Sequence, residues 1–222
     1  MAKSPPKLSI KRWNTLTIGT LGKTCYNVSD MPTELPLILA SASPRRRQLL
    51  AEAGFVFETL PPDEDAEDER RTNELPTEYV RRLAFQKAKN VADKVEQGII
   101  LGGDTVVLCG EEILEKPTDR KDARKMLRLL RGQTHSVLSG LCLIKKGITN
   151  EMVTYQETDS TRLFMQPISD DLLETYLDTG AWQGKSGAFG YQDGNDWITI
   201  LEGSESNVVG LPLELFRTMY HK

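Results

Sequence analysis

Leu37-Ile-Leu-Ala-Ser-Ala-Ser-Pro-Arg-Arg-Arg-Gln-Leu-Leu-Ala-Glu-Ala-Gly54 is where the chain first takes on a readable period. Leu37–Ala40 is a short apolar run that suits a buried strand. Ser41-Ala-Ser43-Pro44 follows as a turn whose serine or proline can open a helix. Leu49, Leu50 and Ala53 then recur at helical spacing until Gly54, a stop signal. A buried strand running straight into a helix is the repeating unit of α/β proteins, so this stretch sets the fold class.

Working outward, Phe55–Leu60 reads as the next strand, and residues 61–74 as an acidic loop in which seven of fourteen side chains are carboxylates. Residues 76–95 carry the longest helical stripe, Tyr79, Val80, Leu83, Ala84, Ala88 and Val91, with Thr77 as its candidate cap. Strands are expected over 98–108, 135–145 and 154–165. Helices are expected over 119–130, 169–179 (capped by Ser169) and 211–220, and two short strand candidates follow Gly184. The pair 135–165 looks antiparallel, which predicts a mixed rather than parallel sheet with flanking helices. Residues 1–34 lack periodicity and read as a loosely ordered extension, leaving 35–222 as the folded unit.

Composition narrows the function classes. With 222 residues, 39% hydrophobic and 27% charged, the chain is an ordinary globular one. A net charge of −4 speaks against sequence-independent binding to a nucleic-acid polymer, which needs a basic field. A small phosphorylated ligand needs only a few placed cations. Three scattered cysteines and two histidines offer neither a disulfide framework nor a zinc cluster. No apolar run approaches the ~20 residues that span a bilayer, and no signal-peptide core follows the first residues. The expectation is a cytoplasmic protein with small-molecule partners and no membrane.

Four segments can carry chemistry. Arg45-Arg46-Arg47 opens a helix, where basic side chains oppose the helix dipole unless an anion is bound. Guanidinium forks suit phosphate oxygens, while a solvated basic helix start is the bland alternative. Gly102-Gly103-Asp104-Thr105 puts a carboxylate beside two glycines. Asp104 can ligate Mg²⁺ or Mn²⁺, accept a proton from water, or simply cap its own turn. Lys116, extended by Pro117, can aim an ammonium at phosphate, and Lys87 sits among apolar helix neighbours where snorkelling lysines are common. Gly184–Gly194 is glycine-dense but lacks the P-loop pattern, and its Gln192 can hydrogen-bond a base edge.

In order along the chain, LASASPRRRQLL, YVRRLAFQKA, GGDTVV, EKPTD, LRGQTHSV, GKSGAFGYQD and NVVGLPL resemble the Maf family of nucleotide pyrophosphatases. The resemblance implies a two-lobed inosine-triphosphatase-like α/β fold with a central cleft, often dimeric. It also implies metal-assisted hydrolysis of nucleoside triphosphates to the monophosphate and pyrophosphate. By that likeness Asp104 is the proton acceptor or metal-organising carboxylate. Ser41, Arg45 and Arg46 bind phosphate, and Lys87 and Lys116 neutralise the departing pyrophosphate. Gly187-Ala-Phe-Gly-Tyr-Gln192 is close to the stretch associated with dTTP and UTP, which makes Arg45, Thr105 and Gln192 the specificity residues. The family's acidic residue falls in Asp63–Glu67: an ungapped count gives Ala66, a one-residue insertion gives Glu67, and Glu64 lies near. Glu67 is the choice for a metal or water ligand, with a plain acidic surface as its alternative. Gly103 and Ser186 stand where alanine is usual. Two other readings share these residues: the same chemistry on modified nucleotides, and a non-catalytic nucleotide-binding regulator of cell division. A binding module has no need of Asp104, Lys87 and Lys116 together with the arginines.

Overall fold

A computed structural model describes residues 35–149 and 151–222, so the expected 1–34 extension lies outside the described residues. The strands are β1 (Leu37–Ala40), β2 (Glu58–Thr59), β3 (Gly98–Cys109), β4 (Glu112–Leu114), β5 (Thr134–Lys146), β6 (Met152–Met165) and β7 (Ile198–Glu202). The helices are α1 (Pro44–Glu52), α2 (Pro76–Ala92), α3 (Arg120–Leu130), α4 (Asp170–Asp178), α5 (Glu205–Val209) and α6 (Leu213–Tyr220). The sheet runs β2-β1-β3-β5-β6-β7. β1 is parallel to both β2 and β3, and the remaining pairs are antiparallel, so the expected mixed α/β sheet is what forms.

Alternation along β3 and β5 sorts the core into two faces. Ile38, Ala40, Ile100, Cys142 and Ile144 face α2, whose Ala84, Ala88 and Val91 close over them. Here the helix backbone rests on the sheet itself. A Cβ at Gly102 or Gly140 would run into the Ala84 or Val80 carbonyl, so only glycine fits beneath α2 at these two points. The opposite face holds two cores. Leu37, Leu39, Ile99, Leu101 and Leu141 pack with Leu50 of α1 and Phe216 of α6. Val107, Val137, Leu163 and Met165 pack with Leu127 of α3 and Leu177 of α4, together with Trp182, Phe189 and Trp197.

The gap between those cores falls at Gly103–Val106. On its outer edge β3 pairs with β1 only as far as Gly102, and β4 takes over only from Val107. Residues 103–106 therefore leave an unpaired stretch in the middle of the sheet, and the cleft opens there.

Several local expectations change. Phe55 and Phe57 are not paired as a strand. Phe55 packs edge-on against Phe216 with ring centroids 4.9 Å apart, and only Glu58–Thr59 pairs with β1. Thr77 does not cap α2: Leu75 is the N-cap without a side-chain bond, and Pro76 supplies the fixed first-turn φ. After Gly184, two single 3-10 turns (Ser186–Ala188 and Tyr191–Asp193) replace one strand candidate, and β7 is the other. The last helix starts at Leu213, since Leu211 and Pro212 are buried in the turn before it.

Candidate active site

The cleft at the sheet break has a volume of about 630 Å³, within the range of small-molecule sites. Ser41, Arg45, Arg46, Glu67, Lys87, Asp104, Thr105, Lys116 and Gln192 all line it. One wall begins at α1. Ser43 caps the helix by accepting from the Arg46 amide, and Ser41 Oγ accepts from the Ser43 amide at 3.1 Å. With Pro44 at the first helical position, this turn delivers two arginines into the cleft from consecutive residues.

Those arginines are held differently. Arg46 donates through Nε to the Gly210 carbonyl at 2.7 Å, through Nη1 to Ser41 Oγ at 3.3 Å and through Nη2 to Thr105 Oγ1 at 3.0 Å. That uses three of five N–H donors and leaves one on each terminal nitrogen for a ligand. Arg45 is tied once, from Nη2 to the Gly184 carbonyl at 2.8 Å. Burial pulls both guanidiniums below their ordinary value; the charges of Asp193 at Arg45 and Asp104 at Arg46 oppose it. Guanidinium stays protonated at any working pH, so the cost appears as a demand for an anion rather than as neutralisation.

Asp104 and Thr105 project to opposite faces of β3, as alternation requires, yet both reach the cleft because that edge is unpaired. Asp104 turns toward α2, where Lys87 Nζ donates to Oδ1 at 2.6 Å. The same ammonium meets Glu67 Oε2 at 2.9 Å. Lys87 is thus a buried bridge between two carboxylates, not a snorkelling side chain at a core edge. Burial alone would raise the Asp104 carboxyl, but the nearby Lys87, Arg46 and Lys116 charges outweigh it and the net shift is downward. Desolvation, then the Lys87 and Arg46 charges, lowers the Lys116 ammonium. Thr105 Oγ1 is engaged by Arg46 and by Ser139 Oγ at 2.9 Å, so it meets the arginine rather than standing free.

Sequence reasoning missed several contributors. Ser139, fully buried, backs Thr105, and Asn207 Nδ2 ties α5 to β5 and β6 through the Val137 carbonyl and Thr161 Oγ1. Ser186 Oγ donates to the Thr105 carbonyl at 2.7 Å, satisfying an acceptor on the open strand edge. Lys185 pairs with Asp193, which also accepts from Tyr176 Oη. Glycine density, Gln192 and the family likeness pointed to the 184–194 loop, but nothing in the sequence pointed to the pair within it. His135, placed behind Phe189 and pushed down to about 4 by burial, offers no titrating imidazole to the cleft.

No group of three or more His, Cys, Asp or Glu side chains that could hold a metal occurs among the described residues. The donor set that exists is the Asp104–Glu67 pair, converging on Lys87 with one oxygen of each carboxylate uncommitted among the described residues. A hard cation such as Mg²⁺ takes one or two carboxylates and completes its shell with water and substrate phosphate, so this oxygen-only pair fits it.

Two guanidiniums, two ammoniums and a pair of carboxylates at a break in a mixed sheet define an α/β protein built around a polyanion-binding cleft. The chain belongs to the Maf-like protein family, whose model matches residues 36–222. A dTTP/UTP pyrophosphatase of Rhodopirellula baltica is 46% identical over 187 residues, 84% of this chain and 81% of that protein. Proteins of the same name from Koribacter versatilis and Vibrio cholerae are 42% and 38% identical. They align with 82% and 84% of this chain, and with 92% and 97% of their own lengths. The solved nucleoside-triphosphatase/dITP/XTP pyrophosphatase of Mycobacterium abscessus, 12% identical, covers 84% of this chain and 94% of its own at TM-score 0.37, too loose a likeness to carry weight.

Proposed function

We propose that residues 35–222 form a dTTP/UTP pyrophosphatase, hydrolysing the α–β phosphoanhydride to the nucleoside monophosphate and pyrophosphate. The observation that carries this reading is the buried Lys87–Asp104 pair at the sheet break, facing the two arginines of α1. The relatives' shared name supplies the reaction and the pyrimidine preference.

In this reading Arg45 and Arg46 grip the triphosphate with N–H donors left free by their protein bonds. Asp104, held ionised by its cationic neighbours, orients water against the α-phosphorus and accepts its proton as the new P–O bond forms. The bond from the α-phosphorus to the bridging oxygen breaks, and Lys87 and Lys116 offset charge gathering on pyrophosphate. A divalent cation, which Asp104 and Glu67 would hold with substrate oxygens, supplies further neutralisation of phosphate charge when bound. The Gln192 carboxamide, uncommitted among the described residues, meets the base, while Thr105 acts on specificity through Arg46. Cys109 and Cys142 are free buried thiols, which suits the cytoplasm as the compartment, and the family likeness adds a homodimer, testable by sedimentation.

The test is pyrophosphate release from a nucleotide panel with Mg²⁺ or Mn²⁺. Wild type should act on dTTP and UTP and little on ATP. Asp104→Asn should lose about 10²–10⁴-fold in kcat, the usual contribution of a positioned base. Turnover of another base with the same mutant loss would retain the chemistry and discard the role of Gln192. A folded wild type inert on every nucleotide, modified ones included, would leave a nucleotide-binding regulator.

A further inference from the structure

The Gly184–Asp193 wall carries Gln192 but contains no long regular element, only two single 3-10 turns. Something must therefore fix it in place. Four ties reach its first half from outside: Arg45 to the Gly184 carbonyl, the Lys185 amide to the Trp182 carbonyl at 3.3 Å, Ser186 to the Thr105 carbonyl, and the Gly187 amide to the Glu115 carbonyl at 3.1 Å. The second half, next to Gln192, has the Asn195 Nδ2 bond to the Gly190 carbonyl at 3.1 Å, the Tyr191 ring packed against the core, and one charged cluster. Asp193 Oδ2 takes the Lys185 ammonium and, at 3.3 Å, the Tyr176 hydroxyl from α4. The Lys185 and Asp193 side chains are 12% and 21% exposed although Asp193 as a whole residue lies at the surface, so the pair is only partly screened by solvent.

Gly190 shows that the cluster is built in. Its backbone is extended, with φ −124°, so conformation does not demand glycine. A Cβ there would strike both the Asp193 carboxylate and the Lys185 ammonium. With glycine here the ion pair can lie against the chain, whereas an added Cβ would push the ends of both side chains out of their present contact. Lys185, Gly190 and Gln192 line the cleft, whereas Asp193 is not among the lining residues.

We propose that Asp193, anchored by the Tyr176 hydroxyl, is a positioning residue that clasps Lys185 across Gly190 and so sets where the adjacent Gln192 carboxamide meets a uracil or thymine ring. The inference rests on the pyrimidine-nucleotide reading of the cleft. Asp193 acts on the base end through Gln192; its charge also reaches Arg45 but no hydrogen bond joins the two, so the phosphate end is held chiefly by α1, Lys87 and Lys116.

Base and phosphate ends can be read separately by calorimetric binding of UMP and of pyrophosphate in Mg²⁺ buffer. Asp193→Ala and Gly190→Ala should weaken UMP about tenfold, the equivalent of one lost hydrogen bond, with pyrophosphate affinity changed less than about twofold. UTP hydrolysis should follow as a raised KM at retained kcat. Tyr176→Phe removes only the hydroxyl and keeps the ring against Trp197, so it should give a smaller loss of the same kind even if the alanine variants fold poorly. Unchanged UMP affinity in folded Asp193→Ala and Tyr176→Phe would overturn the inference. So would equal losses of UMP and pyrophosphate, which a merely structural role produces. Wild type that releases no pyrophosphate from UTP would instead overturn the reading of the cleft itself.

Discussion

At the residue scale, the cleft works by committing most of its charges to one another while leaving a few donors open. Lys87 bridges Asp104 and Glu67, and Arg46 is bound on three sides. Lys116 is the cation whose ionisation the site makes vulnerable, since burial and the Lys87 and Arg46 charges lower its value. The sign follows directly: a lowered ammonium loses its proton, and its positive charge, at a lower pH than a free lysine. If Lys116 neutralises pyrophosphate, the pH–rate profile should fall on its alkaline side below the usual lysine value of about 10.4. Lys116→Arg keeps the charge far higher in pH, so its alkaline limb should move upward even though kcat near neutrality drops. An unmoved limb in Lys116→Arg would assign that titration to another group. Of these residues, Ser41, Arg45 and Arg46 were legible in sequence because they are neighbours in the chain. The Lys87–Asp104 bridge was not, because it depends on how α2 crosses β3.

At the element scale, long periodic segments spoke for themselves and short ones did not. The stripe in α2 and the alternation in β5 and β6 follow from burying one face, so sequence marks them well. α5 has five residues capped by Ser204, too short for any period, and it went unread. Phe55 and Phe57 misled for a different reason: apolar residues there report packing against α6, not pairing in the sheet, and Val56 between them is 94% exposed. What the sequence concealed most was the seat of α2. Gly140, opposite Asp104 in the β3–β5 ladder, lies directly beneath the Val80 carbonyl. Gly140→Ala should therefore destabilise by about 3 kcal/mol, the upper end for overpacking. Gly147→Ala, whose Cβ would meet nothing closer than 4.0 Å among the described residues, should stay within about 0.5 kcal/mol. Urea melts of both variants check this; equal midpoints would mean that α2 can lift from the sheet at little cost.

At the scale of the whole molecule, the site exists because two cores share one sheet without touching on one face. The mixed α/β class and the order of the longer strands and helices could be read from sequence, whereas β4 and α5 could not. It could not give the unpaired edge at 103–106, since that depends on β1 stopping at Ala40 while β4 begins only opposite Val107. The same geometry bears on how the protein unfolds. β3 contributes Leu101 to one core and Val107 to the other, and β5 contributes Leu141 and Val137 in the same way. No linker separates the cores, so neither can melt without breaking strands that the other needs. The chain should then unfold in a single calorimetric transition, with calorimetric and van't Hoff enthalpies in agreement. Phe216→Ala in one core and Leu127→Ala in the other remove side chains that are fully buried. Each should cost about 2–5 kcal/mol, and each should lower that one transition as a whole. Two resolved transitions, with Phe216→Ala moving one and Leu127→Ala the other, would show that the cleft divides independent units. In that case the Lys87–Asp104 pair, whose aspartate sits on the strand both cores share, could not be held rigid by either core alone.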